Sequence, residues 1–191
     1  MFRKMIAILM VLVLCLAAAA ASASSYTKYS KEKFTAKQRV ATRTGPGTEY
    51  DEPGSFNKAG KEYKVLSKAY DYSNKIWWVQ IEIKTKGGVI WAYTGAKRFS
   101  NLNLKKIPEE KVIGRCRTRN RMTGYYAPTA NGCPIKEPVP GGVDCTIYGY
   151  YFGGDQSDYI QIEFYDSSLK KYRRAWVPDP FVDDYVMYYG F

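Results

Sequence analysis

The chain has 191 residues, 29 Lys and Arg against 18 Asp and Glu, a formal charge of +11, and no His. Without an imidazole it lacks the usual general base of Ser and Cys hydrolases and the commonest zinc ligand. Aromatic residues make up 16% of the chain and Tyr alone numbers 18, so large flat side chains must fill a core or face a ligand.

The N-terminus reads as a leader. Arg3 and Lys4 precede an apolar run from Met5 to Leu16, followed by AAAAASAS. A basic start, a short apolar core and a small-residue stretch describe a secretory signal peptide, too short for a membrane span. Ala21-Ser22-Ala23 places cleavage before Ser24, so residues 1–23 are assigned to the leader. Cys15 follows Leu14 and so lacks the small preceding residue that a lipoprotein signal requires. An exported basic chain points to anionic surface polymers, such as teichoic acids or peptidoglycan carboxylates, rather than to nucleic acid. Cys116, Cys133 and Cys145 remain after the leader, and none has CxxC spacing. Neither a metal site nor a cofactor is expected; an exported chain permits one disulfide, in any of three pairings.

Ser24 to Lys33 is polar and reads as a disordered lead-in. Beyond it, strand-like segments dominate: EYKVLSKAY, IWWVQIEIK and VIWAY in the first half, CTIYGYYF, YIQIEFY and RAWV in the second. Gly and Pro sit between them, and long helical periodicity is absent. The class is all-β. RFSNLNLKKIPEEKVIG between the halves reads as a linker or short helical turn, and VDDYVMYYGF as a closing strand or loose tail.

The halves echo each other. VATRTGPGTEYDEP from Val40 lies over CRTRNRMTGYYAP from Cys116, which places Arg43 on Arg119. AGKEYKVL from Ala59 lies over GGVDCTIY from Gly141. WVQIE lies over YIQIE, and IWAY over AWVP, with about four extra residues in the second hairpin; strands kept while loops vary describe a duplicated unit. Boundaries follow at 34–102 and 114–191, joined by 103–113.

RTGPGTEYDEPGSFNKAGKEYKVL, followed by WWVQIE and VIWAY, resembles the bacterial SH3 domain. That family's pattern is Arg, a Gly-Pro turn, a hydrophobic strand after Gly, a Trp strand and Gly-Trp-Val. Here Ile90 stands in place of the last Gly. The second copy departs further, with Asn120 and Arg121 at the turn and Tyr159 for the strand Trp. The resemblance implies two SH3-like small β-barrels in tandem and a non-catalytic accessory role. It also implies an aromatic groove for cell-wall peptides or other extracellular ligands.

Strand alternation puts Val79, Ile81 and Ile83 on one face, with Trp77 on the same parity. Trp78, Gln80 and Glu82 take the other. The expected ligand-facing aromatics are Tyr50 with Trp78, and Tyr125 or Tyr126 with Tyr159. Arg43 and Arg119 are expected to brace the first loop or meet a ligand carboxylate. Trp91 and Trp176 are expected in a core or domain interface. The leading expectation is a secreted protein that binds peptidoglycan or an anionic wall polymer. A second is an extracellular protein or peptide binder, which needs an exposed groove beside Trp77. Of hydrolytic chemistries, only a carboxylate glycosidase using Glu82, Glu163 or Asp155 remains conceivable. No catalytic residue is expected, because the repeat uses up the chain.

Overall fold

The computed structural model describes residues 29–54, 59–129, 131–152, 158–178 and 182–187. The leader assigned to residues 1–23 lies outside the described residues, as does Asp155. Strands run in the order β1 (Lys33–Thr35), β2 (Glu62–Asp71), β3 (Ile76–Thr85), β4 (Gly88–Gly95), β5 (Gly114–Thr118), β6 (Asp144–Phe152), β7 (Asp158–Asp166), β8 (Lys171–Pro178) and β9 (Val182–Met187). They form two antiparallel sheets, ordered β1-β2-β3-β4 and β8-β7-β6-β5-β9. The chain is all-β as expected. Helix among the described residues is confined to two single 3-10 turns, Ala96–Arg98 and Leu104–Lys106.

The second sheet repeats the pairing of the first. A register skip falls at Leu66 between β2 and β3, and the same skip falls at Tyr148 between β6 and β7. Gly60 and Gly142 open β2 and β6 with φ of 81° and 71°, and donate to the carbonyls of Ala36 and Thr118 at 2.7 and 2.8 Å. Only Gly adopts that φ without steric cost, which is why both copies keep it.

The register corrects two parts of the match between the halves. Gln80 pairs with Tyr93 and Gln161 with Trp176, so Tyr93, not Trp91, matches Trp176. The β3–β4 turn holds two residues, Lys86 and Gly87, and the β7–β8 turn holds four, Ser167 to Lys170. The second hairpin is therefore longer by two residues rather than four. In the first block, Arg43 exchanges backbone bonds with Tyr93, and Tyr125 does the same with Trp176. Arg43 thus corresponds to Tyr125. Arg119 follows β5, whose counterpart is β1, because Cys116 faces Cys145 as Phe34 faces Tyr63.

The middle of β3 is covered on both sides. Val79, Ile81 and Ile83 enter the main core with Ile147, Ile160, Ile162 and Phe164. The opposite face of β3 is buried too: Trp78 is 6% and Gln80 0% exposed. At Gln80 the other unit adds to the cover, since Gln161 and Arg174 share with it the Tyr93 hydroxyl. Val89 on β4 bridges to Gly132 in the second unit's first loop, and Tyr172 on β8 bridges to Tyr50 in the first unit's loop. Each long loop lies along the other unit's fourth strand, so neither edge is left open to stray strand pairing.

Residues 24–28 of the expected lead-in and 188–191 of the expected tail lie outside the described residues, but the segments next to them join the fold. Val182 and Arg117's partner Asp183 pair β9 with β5, so Val182–Met187 of the closing segment docks as a strand. Residues 29–33 are not the loose lead-in expected, since Ser30 donates to the Leu66 carbonyl and Lys33 begins β1. The segment 103–113 is no free tether: Ile107 is 2% exposed, and Pro108 and Glu110 both bond to the backbone of Lys68.

Two buried aspartates pin the hairpin turns. Asp71 accepts from the backbone of Ser73 and Asn74 at 3.0 Å each, and Asp166 accepts from Ser168 and Leu169 and from the Arg173 guanidinium at 2.7 Å. Burial pushes both carboxyls up, but these hydrogen bonds outweigh it and hold them below the usual range. A depressed carboxyl contributes stability that is present above its unfolded value near pH 3.9 and is lost as pH falls through the folded value. Asp166→Asn is expected to flatten that acid branch of the stability profile and to lower stability at pH 7. Urea midpoints from pH 2 to 7 measure both; an unchanged acid branch would count against the assignment.

Candidate functional site

The aromatics expected to face a ligand are buried or half-buried, and two of them, Tyr50 and Tyr126, bond to the other unit. Trp78 has the parity expected but is buried, and so is Tyr126, at 9% exposure. Tyr50 does not meet Trp78. Its hydroxyl donates to Glu163 of the second unit at 2.5 Å, and burial there pushes its phenol up despite the nearby Arg174. Tyr125 and Tyr159 do come together, 6.1 Å apart and edge to face, both half-buried. Arg43 is half-buried and ion-paired with Glu52, while Arg119 is exposed.

Between the sheets lies a buried polar cluster centred on Arg174. Its Nε donates to Glu163 at 2.7 Å, and its Nη1 donates to Glu110 at 2.8 Å and to the Tyr93 hydroxyl at 3.1 Å. The Tyr148 ring stacks on the guanidinium, 3.8 Å from Cζ to centroid. Gln80 and Gln161, the central residues of the two matched motifs, each donate to Tyr93 Oη at 3.2 Å. Tyr93 in turn donates to Glu110 at 2.7 Å, and Ser67 donates to the same carboxylate at 2.5 Å. Burial pushes the Tyr93 phenol well up, and the Glu110 charge adds to this. Burial works against the Arg174 cation, yet the surrounding Tyr93, Glu163 and Glu110 hold it firmly protonated. With every hydroxyl engaged and Glu163 tied to Arg174 and Tyr50, the cluster is built to hold two units in register.

The exposed aromatic surface is elsewhere, at the β2–β3 turn. Tyr70 lies 5.0 Å from Tyr72 and 5.0 Å from Trp77, and Lys68 Nζ sits 4.8 Å above the Trp77 ring. Tyr72 is 82% exposed, the most open large apolar residue among those described. Trp77, placed on the core parity by alternation, is only half-buried, because its strand end reaches past the core. A smaller group, Tyr165 and Tyr172, 5.2 Å apart, occupies the β7–β8 hairpin. Neither group is repeated in the other unit. The position paired like Trp77 holds Asp158, and those paired like Tyr165 and Tyr172 hold Lys84 and Val89.

The sequence reading missed Tyr70, Tyr72, Glu110 and Arg174. A Tyr-x-Tyr stretch entering the turn Ser73-Asn74-Lys75 was the available signal for the first two. Glu110 carried none, since nothing local marks a linker carboxylate for burial.

The structure also bears on the thiols. Cys116 and Cys145 are directly opposed in β5 and β6, both buried, and Cys133 stands 3.7 Å from the Thr85 hydroxyl. All three are free thiols, so the disulfide expected is not formed. The hydrogen bond between the two opposed thiols, with burial, pushes Cys145 up, away from the thiolate needed for exchange. Among the described residues no group of three Cys, Asp or Glu is placed to hold a metal, and no helix is long and apolar enough to cross a membrane. Comparison with protein-family models, curated proteins and solved structures finds no match for this chain.

Proposed function

We propose that this is an exported, non-catalytic binding protein of two SH3-like units that attaches to the bacterial cell wall through the aromatic surface at the β2–β3 turn. The observation that carries the reading is the Tyr70–Tyr72–Trp77 group beside Lys68. Tyr70 meets Tyr72 edge to face and Trp77 at a tilt, which makes a stiff surface for a sugar face or a peptide bond, and Lys68 is held over Trp77 by the Leu104 carbonyl and Glu109. The paired sheets, their matching bulges and the glycine-opened strands support the two-unit SH3-like architecture. Of the carboxylates conceivable for glycosidase chemistry, Glu82 is paired with Lys64 and Glu163 with Arg174, and Asp155 lies outside the described residues.

Because the surface occurs in one unit only, binding through it is single-site rather than an avidity effect between equivalent copies. Peptidoglycan sacculi incubated with the protein should pellet it without losing turbidity. Tyr72→Ala, at a site too exposed to affect folding, should weaken pelleting at least about tenfold, as for an interface hot spot. Clearing of the suspension would sink the non-catalytic reading, and equal pelleting by the variant would sink the site.

The half-exposed Trp77 also favours a second reading, an extracellular peptide binder, since the objection that Trp77 is buried does not hold. Failure to pellet across a salt series would move the assignment there.

A further inference from the structure

The two units share an aromatic slot, and the chain itself supplies its occupant. Trp91 of β4 and Trp176 of β8 meet edge to face with centroids 5.6 Å apart, and are 6% and 1% exposed. Leu66, Tyr125, Tyr151 and Tyr159 pack around them. Tyr29 rests on both indoles, 5.0 Å from Trp91 and 6.4 Å from Trp176. The next residue, Ser30, donates its N–H to the Leu66 carbonyl at 2.7 Å, and Val65 donates to Glu32 at 2.9 Å. An extended segment thus pairs with a strand edge and inserts one side chain into a pocket, which is how β-augmentation recognises a peptide.

A glycine in the wall of the slot says that the seat is shaped for an occupant. Gly149 interrupts the interior of β6, where a Cβ would stand 2.9 Å from the Tyr29 hydroxyl oxygen and 2.9 Å from the Trp176 ring. A strand glycine weakens its strand and marks a close approach by another group, and here that group is a ring entering the slot.

We propose that this slot is a binding site for an aromatic residue carried on an extended peptide, and that the segment around Tyr29 occupies it in cis as a displaceable plug. The site shares no residue with the Tyr70–Tyr72–Trp77 surface and does not depend on wall binding. It would let an incoming Tyr-bearing peptide exchange with the leading segment while the indoles stay buried.

The test uses the full chain with Tyr29→Ala, which empties the seat. The probe is a synthetic peptide of residues 24–32, SSYTKYSKE, against the same peptide with Ala in place of Tyr29. Indole fluorescence should respond saturably to the first peptide and not to the second. The wild-type protein should bind the first peptide at least about tenfold more weakly, because its tethered segment competes at a high effective concentration. Equal binding to wild type and variant, equal binding of the two peptides, or no binding to a folded variant would overturn the proposal. So would loss of cooperative melting in Tyr29→Ala, which would make Tyr29 a fixed part of the core.

Discussion

Arg174→Met is expected to destabilise the protein by about 3–5 kcal/mol, the range for removing one partner of a buried ion pair. The side chains of Arg174 and Glu110 are 3% and 2% exposed, and that of Glu163 is 14% exposed. Taking away the guanidinium leaves two carboxylates out of water with only neutral donors around them. The loss follows from the stranded charges more than from the broken bonds. Accordingly, adding Glu110→Gln and Glu163→Gln to the Met variant should restore a large part of the stability. Urea denaturation of the single, double and triple variants measures the coupling. A loss below about 1 kcal/mol for Arg174→Met, the scale of an exposed pair, would show that water reaches the cluster and that its role in joining the units is small.

The fragment ending at residue 102 is expected to lose cooperative folding altogether. It would contain β1 to β4 complete, yet Val89 and Trp91 on β4 would lose their backbone partners Asn131, Cys133 and Tyr126. Gln80 and Tyr93, both 0% exposed in the whole chain, would face water without Gln161, Glu110 and Arg174. Tyr50 would have neither Glu163 nor Tyr172. Near-UV circular dichroism and sedimentation velocity decide the matter. A monomeric fragment with a sharp melting transition would show that the units stand alone, and the shared cluster would then be an accessory to two independent folds.

These two expectations show where the sequence was informative. Alternation in WVQIEI correctly grouped Trp78, Gln80 and Glu82, and the matched Gln-Ile-Glu motifs occupy equivalent register positions. The two opening glycines were aligned correctly because positive φ is a local demand that few residues meet. The period of a strand, however, says which residues share a face and nothing about what covers it. Trp78 therefore looked ligand-facing when its face is covered, and Trp77 looked buried when it stands at the end of a strand. Arg43 and Arg119 were matched by identity, although backbone pairing assigns Arg43 to Tyr125. IWAY and AWVP were matched on their tryptophans, although the longer second turn shifts the register by two. Glu110 was illegible for a further reason. A linker carboxylate becomes buried only once two distant strands present it with Arg174, Tyr93 and Ser67, and that is a property of the assembled pair.

The crossed loops carry a consequence for how the chain is made. Tyr50 finds its hydrogen-bond acceptor 113 residues later in the sequence, and Val89 needs the backbone of Asn131 and Cys133. Contacts of such long range must pay the entropy of closing a large loop before they give anything back, and they slow folding. As the polypeptide emerges N-terminus first, the β4 edge waits for residues 126 to 133, and Tyr50 and Tyr93 wait for Glu163 and Arg174, so the first half stays unfinished until β8 has appeared. The vulnerable interval for aggregation or proteolysis is thus set by the time needed to deliver the second half. Substitutions that stall β8 should therefore lower the yield of the whole molecule rather than of one half.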